Sequence, residues 1–363
     1  MKKSTNRKRD IILSLILLAA FCALLAYFQY DKNTSHSYAI SILERSAIYA
    51  VVAVSMNLLN GFTGLFSLGQ AGFMALGAYV TAILTIPVEV RPSVYYMNGI
   101  VPWLEKAHLP MIPAMIAGGL AAALAAALIG IPVLRLKSDY LAIATLGFAE
   151  IIRALLAAPM MDRITNGSYG LNNIPGYKNI FQPMAIAAVC IFLMILLINS
   201  TYGRAFKAIR EDDVAAEAMG INLFRHKELA FVISSFFTGV GGGMLAVFMR
   251  SIDTKTFQVA LTYNILLIVV LGGIGSVTGS IIGSLLINGG QEWLRFLDEP
   301  TSVPVLSALF RPGFRMVIYS VLLMVVVLFW RRGIMGTSEF SWDGLFGLFT
   351  RGKGKKAAKG EDS

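Results

Sequence analysis

Catalysis needs side chains of matched chemistry within hydrogen-bond reach of one another, and this chain offers few such sets. Its three histidines, His36, His108 and His226, lie apart in polar connections. Its two cysteines, Cys22 and Cys190, sit inside apolar runs with no His or acid nearby, so neither a metal site nor a disulfide framework is expected. No G-x-x-x-x-G-K-[ST] loop is there to cradle a phosphate, and the basic stretch 353–359 follows no strand pattern and carries no Ser or Thr after Gly-Lys. H-E-x-x-H and G-x-S-x-G are absent too. The chain therefore reads as a non-enzyme that needs no cofactor.

What remains is polar chemistry suited to binding and coupling. Glu150 and Arg153 stand three residues apart, on one face of an apolar run. Charges so placed seldom face lipid; they form an ion pair inside a bundle or line a route through it. Asn57, Asn60, Thr63, Ser67 and Gln70 cluster around the glycine-rich stretch 60–70, which holds no charge. Non-helical backbone at membrane depth is tolerated only where protein buries it or a water-filled cavity borders it, so these five are candidates to line a passage, or else a plain turn. The third feature is 201–228, the longest charged run between two apolar segments. Phe206, Ile209, Ala216 and Met219 recur there at helical spacing, opposite Arg204, Lys207, Arg210, Glu211, Asp212 and Glu217. The spacing predicts a short amphipathic helix, a left-handed stop at Gly220 and a cap for the next helix at Asn222. Such a loop is either a solvated connection that only fixes topology or a handle for a partner.

The elements that position these residues can be read from composition. Of 363 residues 56% are hydrophobic and only 14% charged, against roughly one quarter in soluble domains. Lipid is the natural solvent, and the net charge of +10 reflects basic residues between and beyond apolar runs, with no need of nucleic acid. Apolar runs at 11–28, 38–59, 71–88, 110–133, 140–160, 180–200, 229–249, 257–271, 277–296 and 314–330 predict an all-α polytopic membrane bundle of about ten transmembrane helices. Splitting 257–296 at the glycine turn 272–276 puts the basic tail on the same side as the basic N-terminus, with most Lys and Arg inside. Both termini and the 201–228 loop are then cytoplasmic. The expected domains are a basic N-terminus at 1–10, a membrane domain at 11–330 and a basic, disordered tail at 331–363. Small residues in 110–133, and Gly275, Gly279 and Gly283 at small-xxx-small spacing, predict close helix contacts.

The stretches LLNGFTGLFSLGQAGFMALGAY at 58–79, TLGFAEIIR at 145–153, GRAFKAIR at 203–210, AAEAMGI at 215–221 and LGGIGSVTGSIIG at 271–283 resemble LivM-type permease subunits of bacterial branched-chain amino acid ABC importers. The resemblance covers about 47–327. It implies a multi-pass plasma-membrane permease in a complex with a paralogous second permease, two cytoplasmic ATPase subunits and an extracytoplasmic substrate-binding protein, carrying apolar amino acids. It also implies that the loop pattern E-A-A-x-x-x-G docks on the ATPase, with Ala215, Ala216 and Gly220 in matching positions, Glu217, Arg204, Phe206 and Arg210 beside them, and Val214 where the acid would stand. Gln70 replaces a frequent His. Related urea and short-amide permeases share much of this pattern, and a stand-alone secondary carrier is the competing class.

Overall fold

Each apolar run carries a helix wherever the chain is described. The computed structural model describes residues 7–30, 34–97, 99–136, 138–294, 314–329, 333–336 and 339. The expectations for residues 1–6 and for most of the tail beyond 330 lie outside these. In order come α1 (Arg7–Tyr30), α2 (Thr34–Asn57), α3 (Gln70–Thr85), α4 (Arg91–Val94), α5 (Pro102–Glu105), α6 (Met111–Val133) and α7 (Ser138–Ala157). Next are α8 (Asp162–Thr165), α9 (Phe181–Asn199), α10 (Thr201–Glu211), α11 (Asp213–Ala218), α12 (Leu223–Met249), α13 (Val259–Gly272), α14 (Val277–Trp293) and α15 (Phe314–Phe329).

Five described helices are long and apolar enough to cross a bilayer: Tyr38–Phe62, Met111–Val133, Tyr140–Ala157, Phe181–Asn199 and Leu223–Met249. A sixth arises if α3 and Val88–Val94, bent by 96° from each other, count as one broken span. The chain is an all-α polytopic membrane protein. Its one β feature among the described residues is the isolated bridge between Leu171 and Ile252.

In lipid no hydrophobic drive pulls helices together, so close packing must come from small side chains. α12 is the hub and packs on α3, α6 and α2. A Cβ at Gly77 of α3 would lie 2.0 Å from the Gly239 carbonyl oxygen, and one at Gly242 2.0 Å from that of Met74. The two backbones touch, and larger residues there would force α3 off α12. α14 meets α13 in the same way, Gly279 against Gly272 and Gly283 against Ile268. Gly275 departs from the expected stripe: it lies in the turn before α14 with φ +88°, a conformation that favours glycine.

One end of the bundle is capped by the loops after α3 and α7. Arg91 is buried and donates to the carbonyls of Ile83 (3.2 Å), Ile86 (3.1 Å), Leu104, Glu105 (3.0 Å) and Ala107. Asn166, left-handed with φ 57°, donates to Val94 and Gly170. Burial pushes the Tyr95 phenol up to about 12, which keeps its proton on the bond to the Ile164 carbonyl at 2.8 Å. At the other end lie the 63–69 crossover, the α10–α11 loop and the turn between α13 and α14.

Candidate functional site

The loop at this second end is built by its caps. The Ser200 hydroxyl accepts from the Gly203 N–H, and Phe206 and Ile209 turn inward and are buried. The expected single helix is broken at Asp212 (φ −159°, ψ 112°), whose carboxylate accepts from the N–H groups of Val214 (2.9 Å) and Ala215 (3.0 Å). The physical reason is that Asp satisfies backbone donors better as an N-cap than it serves within a helix. The break also changes the phase of α11: Ala216 still faces inward, while Met219, expected on the apolar face, is 84% exposed.

Gly220 stops α11 as expected, with φ +85°, its N–H on the Glu217 carbonyl and the Ile221 N–H on that of Ala216. Asn222 caps α12 through the Arg225 N–H at 3.0 Å. Lys227 closes the loop on Asp213 at 2.6 Å. Its tip presents Val214, Met219, Ala215, Glu217 and Gly220 to the outside, and Arg204 is exposed one helix earlier.

Arg210 faces two ways. Nε (3.1 Å) and Nη2 donate to Glu211 Oε1, and Nη1 donates to the Gly61 carbonyl at 2.9 Å. Gly61 belongs to a π-helical turn, Leu58–Phe62, that extends α2. The ammonium of Lys207 stands 5.5 Å from the Phe62 ring centroid on the same turn. One helical turn back, Asn57 is fully buried; its amide donates to the Ser276 carbonyl and the Ser280 hydroxyl, both at 2.8 Å, and accepts from the Gly275 N–H at 2.8 Å. Hydrogen bonds thus join the loop to the π-turn and Asn57 to the turn between α13 and α14, and the two sets meet where Gly61 packs against Asn57 and Gly275. Glu339 joins from the tail, accepting from the Val277 N–H at 2.8 Å and the Thr278 N–H at 3.1 Å at the start of α14. Beside Arg210 opens a cleft of about 420 Å³, bordered by Thr63, Leu65, Leu134, Leu141 and Asp213.

Four of the five polar residues around the glycine-rich stretch are buried. Thr63 donates to the Leu58 carbonyl at 2.9 Å. The Ser67 N–H donates to Asn60 Oδ1 at 3.1 Å, while Asn60 Nδ2 is buried with no partner among the described residues. Gln70 accepts from the Thr238 hydroxyl and donates to that of Ser234 at 3.5 Å, and both hydroxyls reach Ser55. Glu150 and Arg153 pair with each other on α7, half exposed, and share no hydrogen bond with this network. Sequence reasoning passed over Ser234 and Thr238, whose i,i+4 spacing puts them on one face of α12, and over Glu339, whose partners lie some sixty residues away.

A spanning bundle that keeps a buried polar seam at its centre and an exposed, well-capped loop at one end has the construction of a membrane transport subunit. The family model for the branched-chain amino acid transport system / permease component matches residues 38–330, and the chain belongs to that family. It is a non-catalytic permease subunit of the branched-chain amino acid ABC transport class. It is 30% identical over 330 residues to the high-affinity branched-chain amino acid permease protein LivM of Escherichia coli K12, covering 82% of this chain and 71% of that one. Against LivM of Salmonella typhimurium it is 31% identical over 294 residues, 72% of this chain and 64% of that one. The guanosine ABC transporter permease protein NupQ of Bacillus subtilis is 26% identical over 225 residues, 56% of this chain and 66% of that one. No solved structure matches the chain.

Proposed function

We propose that the chain is one of the membrane permease subunits of an ATP-driven importer of branched-chain or similar apolar amino acids in a bacterial plasma membrane. In this reading about ten helices span the bilayer, both termini and the α10–α11 loop are cytoplasmic, and the loop docks on partner ATPase subunits. A second, paralogous permease and an extracytoplasmic binding protein complete the complex. Arg204, Ala215, Glu217 and Gly220 face the ATPase, with Val214 and Met219 as apolar contacts; Phe206, Ala216 and Arg210 carry its movement inward.

The observation that carries this reading is the bond from Arg210 to the Gly61 carbonyl. A loop that only fixed topology would need no charge-assisted bond to the turn that ends α2. Through Gly61 and Asn57 a push on the loop reaches the α13–α14 turn without crossing lipid. Asn57, Asn60, Thr63, Ser67 and Gln70 form the inner constriction of the passage, closed in this conformation, and Glu150 with Arg153 borders it. A second reading, a nucleoside permease, rests on the likeness to NupQ.

A bulky substitution at Gly220, Gly220→Ile, tests the docking role. It forces a β-branched residue to φ +85° but meets no atom within 4 Å, so membrane insertion should persist while ATPase association and leucine uptake are lost. Normal uptake would sink the docking role. Cysteines at Thr63 and Ser67 should react with small polar thiol reagents in a nucleotide-dependent way; protection in every state would remove the proposed constriction.

A further inference from the structure

A second cleft, of about 410 Å³, opens at the capped end between α2, the end of α12 and the start of α13. Its volume falls within the roughly 300–1,000 Å³ of small-molecule pockets. Leu245, Phe248 and Leu261 form apolar walls, and Arg45, Tyr49 and Asn264 the polar edge. Arg45 stacks its guanidinium 5.6 Å from the Tyr49 ring centroid. Among the described residues it has no carboxylate partner, and the Asn264 amide has no hydrogen bond. The nearby Asp253 is already engaged by the backbone N–H and hydroxyl of Thr256, at 2.8 and 2.6 Å.

A guanidinium whose described contact is an aromatic face keeps its N–H donors available to an anion. The helix ends extend the same pattern of charge. α12 stops at Met249, which borders the cleft, so the negative end of its dipole lies at this end of the bundle. α13 begins at Val259 with no side-chain cap; the Leu261 N–H is taken by the Gln258 carbonyl at 2.9 Å, which leaves those of Val259 and Ala260 as donors. One cleft therefore combines a cation, a donor end, an acceptor end and a branched apolar wall.

Resting on the importer reading, we propose that this cleft receives an apolar α-amino acid on its way through the permease. Arg45 and the start of α13 bind the carboxylate, the carbonyl end of α12 faces the ammonium, and the side chain lies on Leu245, Phe248 and Leu261. Asn264 supplies a second donor to the carboxylate. A nucleoside, with neither carboxylate nor ammonium, does not match these groups.

The test uses the full complex with its binding protein, reconstituted in liposomes, and follows leucine uptake together with ATP hydrolysis. Arg45→Gln should lower uptake by roughly tenfold or more, the loss expected when one partner of a desolvated charge contact is removed, while binding-protein-stimulated hydrolysis and assembly stay unchanged. Arg45→Lys, which keeps the charge but loses the planar stack on Tyr49, should recover uptake in part, to a level between Arg45→Gln and the parent. Leu245→Trp, which fills the cleft without touching the charge, should lose uptake as Arg45→Gln does. Uptake within about twofold of the parent in either Arg45→Gln or Leu245→Trp would overturn the proposal. So would loss of hydrolysis and assembly along with uptake, because Arg45 would then be structural. A parent complex that moves no leucine would remove the importer reading and the proposal with it.

Discussion

At the capped end of the bundle Arg91 is buried and holds five backbone carbonyls, whereas at the α10–α11 end Arg210 is about one-third exposed and holds one, that of Gly61. The same residue type does opposite work. Five bonds from a buried guanidinium fix the turn after α3 and the loop before α6 as one piece, since freeing any of them leaves a desolvated carbonyl. One bond from a part-exposed guanidinium, beside a competing carboxylate on Glu211, can break and re-form at small cost. The capped end is held by more and better-buried bonds than the α10–α11 end.

Four substitutions would break or sharpen that contrast. The largest effect is expected from Arg91→Ala, which strands several carbonyls and should cost about 3 kcal/mol or more in thermal unfolding of the solubilised protein. A loss comparable to that of an exposed Arg would erase the contrast between the two ends. Asn57→Ala comes next: the Gly275 N–H and the Ser276 carbonyl both lose a buried partner, for roughly 2 kcal/mol by the same measurement. Asp212→Ala removes the cap of α11 and should cost about 1 kcal/mol, read best as faster amide exchange at Val214 and Ala215. Met219→Asp, at a position 84% exposed, should leave stability within about 0.5 kcal/mol yet weaken co-purification of the ATPase. Unchanged co-purification would mean that the tip is solvated and not docked.

The helices were legible in the sequence because each apolar run is bounded by charges or glycine, and in lipid that boundary is the dominant physical signal. Gly220 and Asn222 were legible for a local reason: a left-handed stop and an N-cap depend on neighbours in sequence. The break at Asp212 was equally local, but its carboxylate reads as part of a charged face until the cap geometry is seen. Partners distant in the chain left no trace. Asn57 meets Ser276 across 219 positions, and the carbonyls around Arg91 come from loops whose course nothing local dictates. Arg210 lies between these cases. Its charge placed it on the docking surface by resemblance, and the structure turns one of its nitrogens inward to Gly61.

The central claim is that this inward bond transmits the ATPase's movement, and Arg210→Gln tests it most directly. In the reconstituted complex, ATP hydrolysis and leucine uptake are measured on the same vesicles. Hydrolysis should persist near the parent rate while leucine moved per ATP falls by roughly tenfold, a change of about 1.4 kcal/mol in coupling. An unchanged ratio of leucine to ATP would contradict the account.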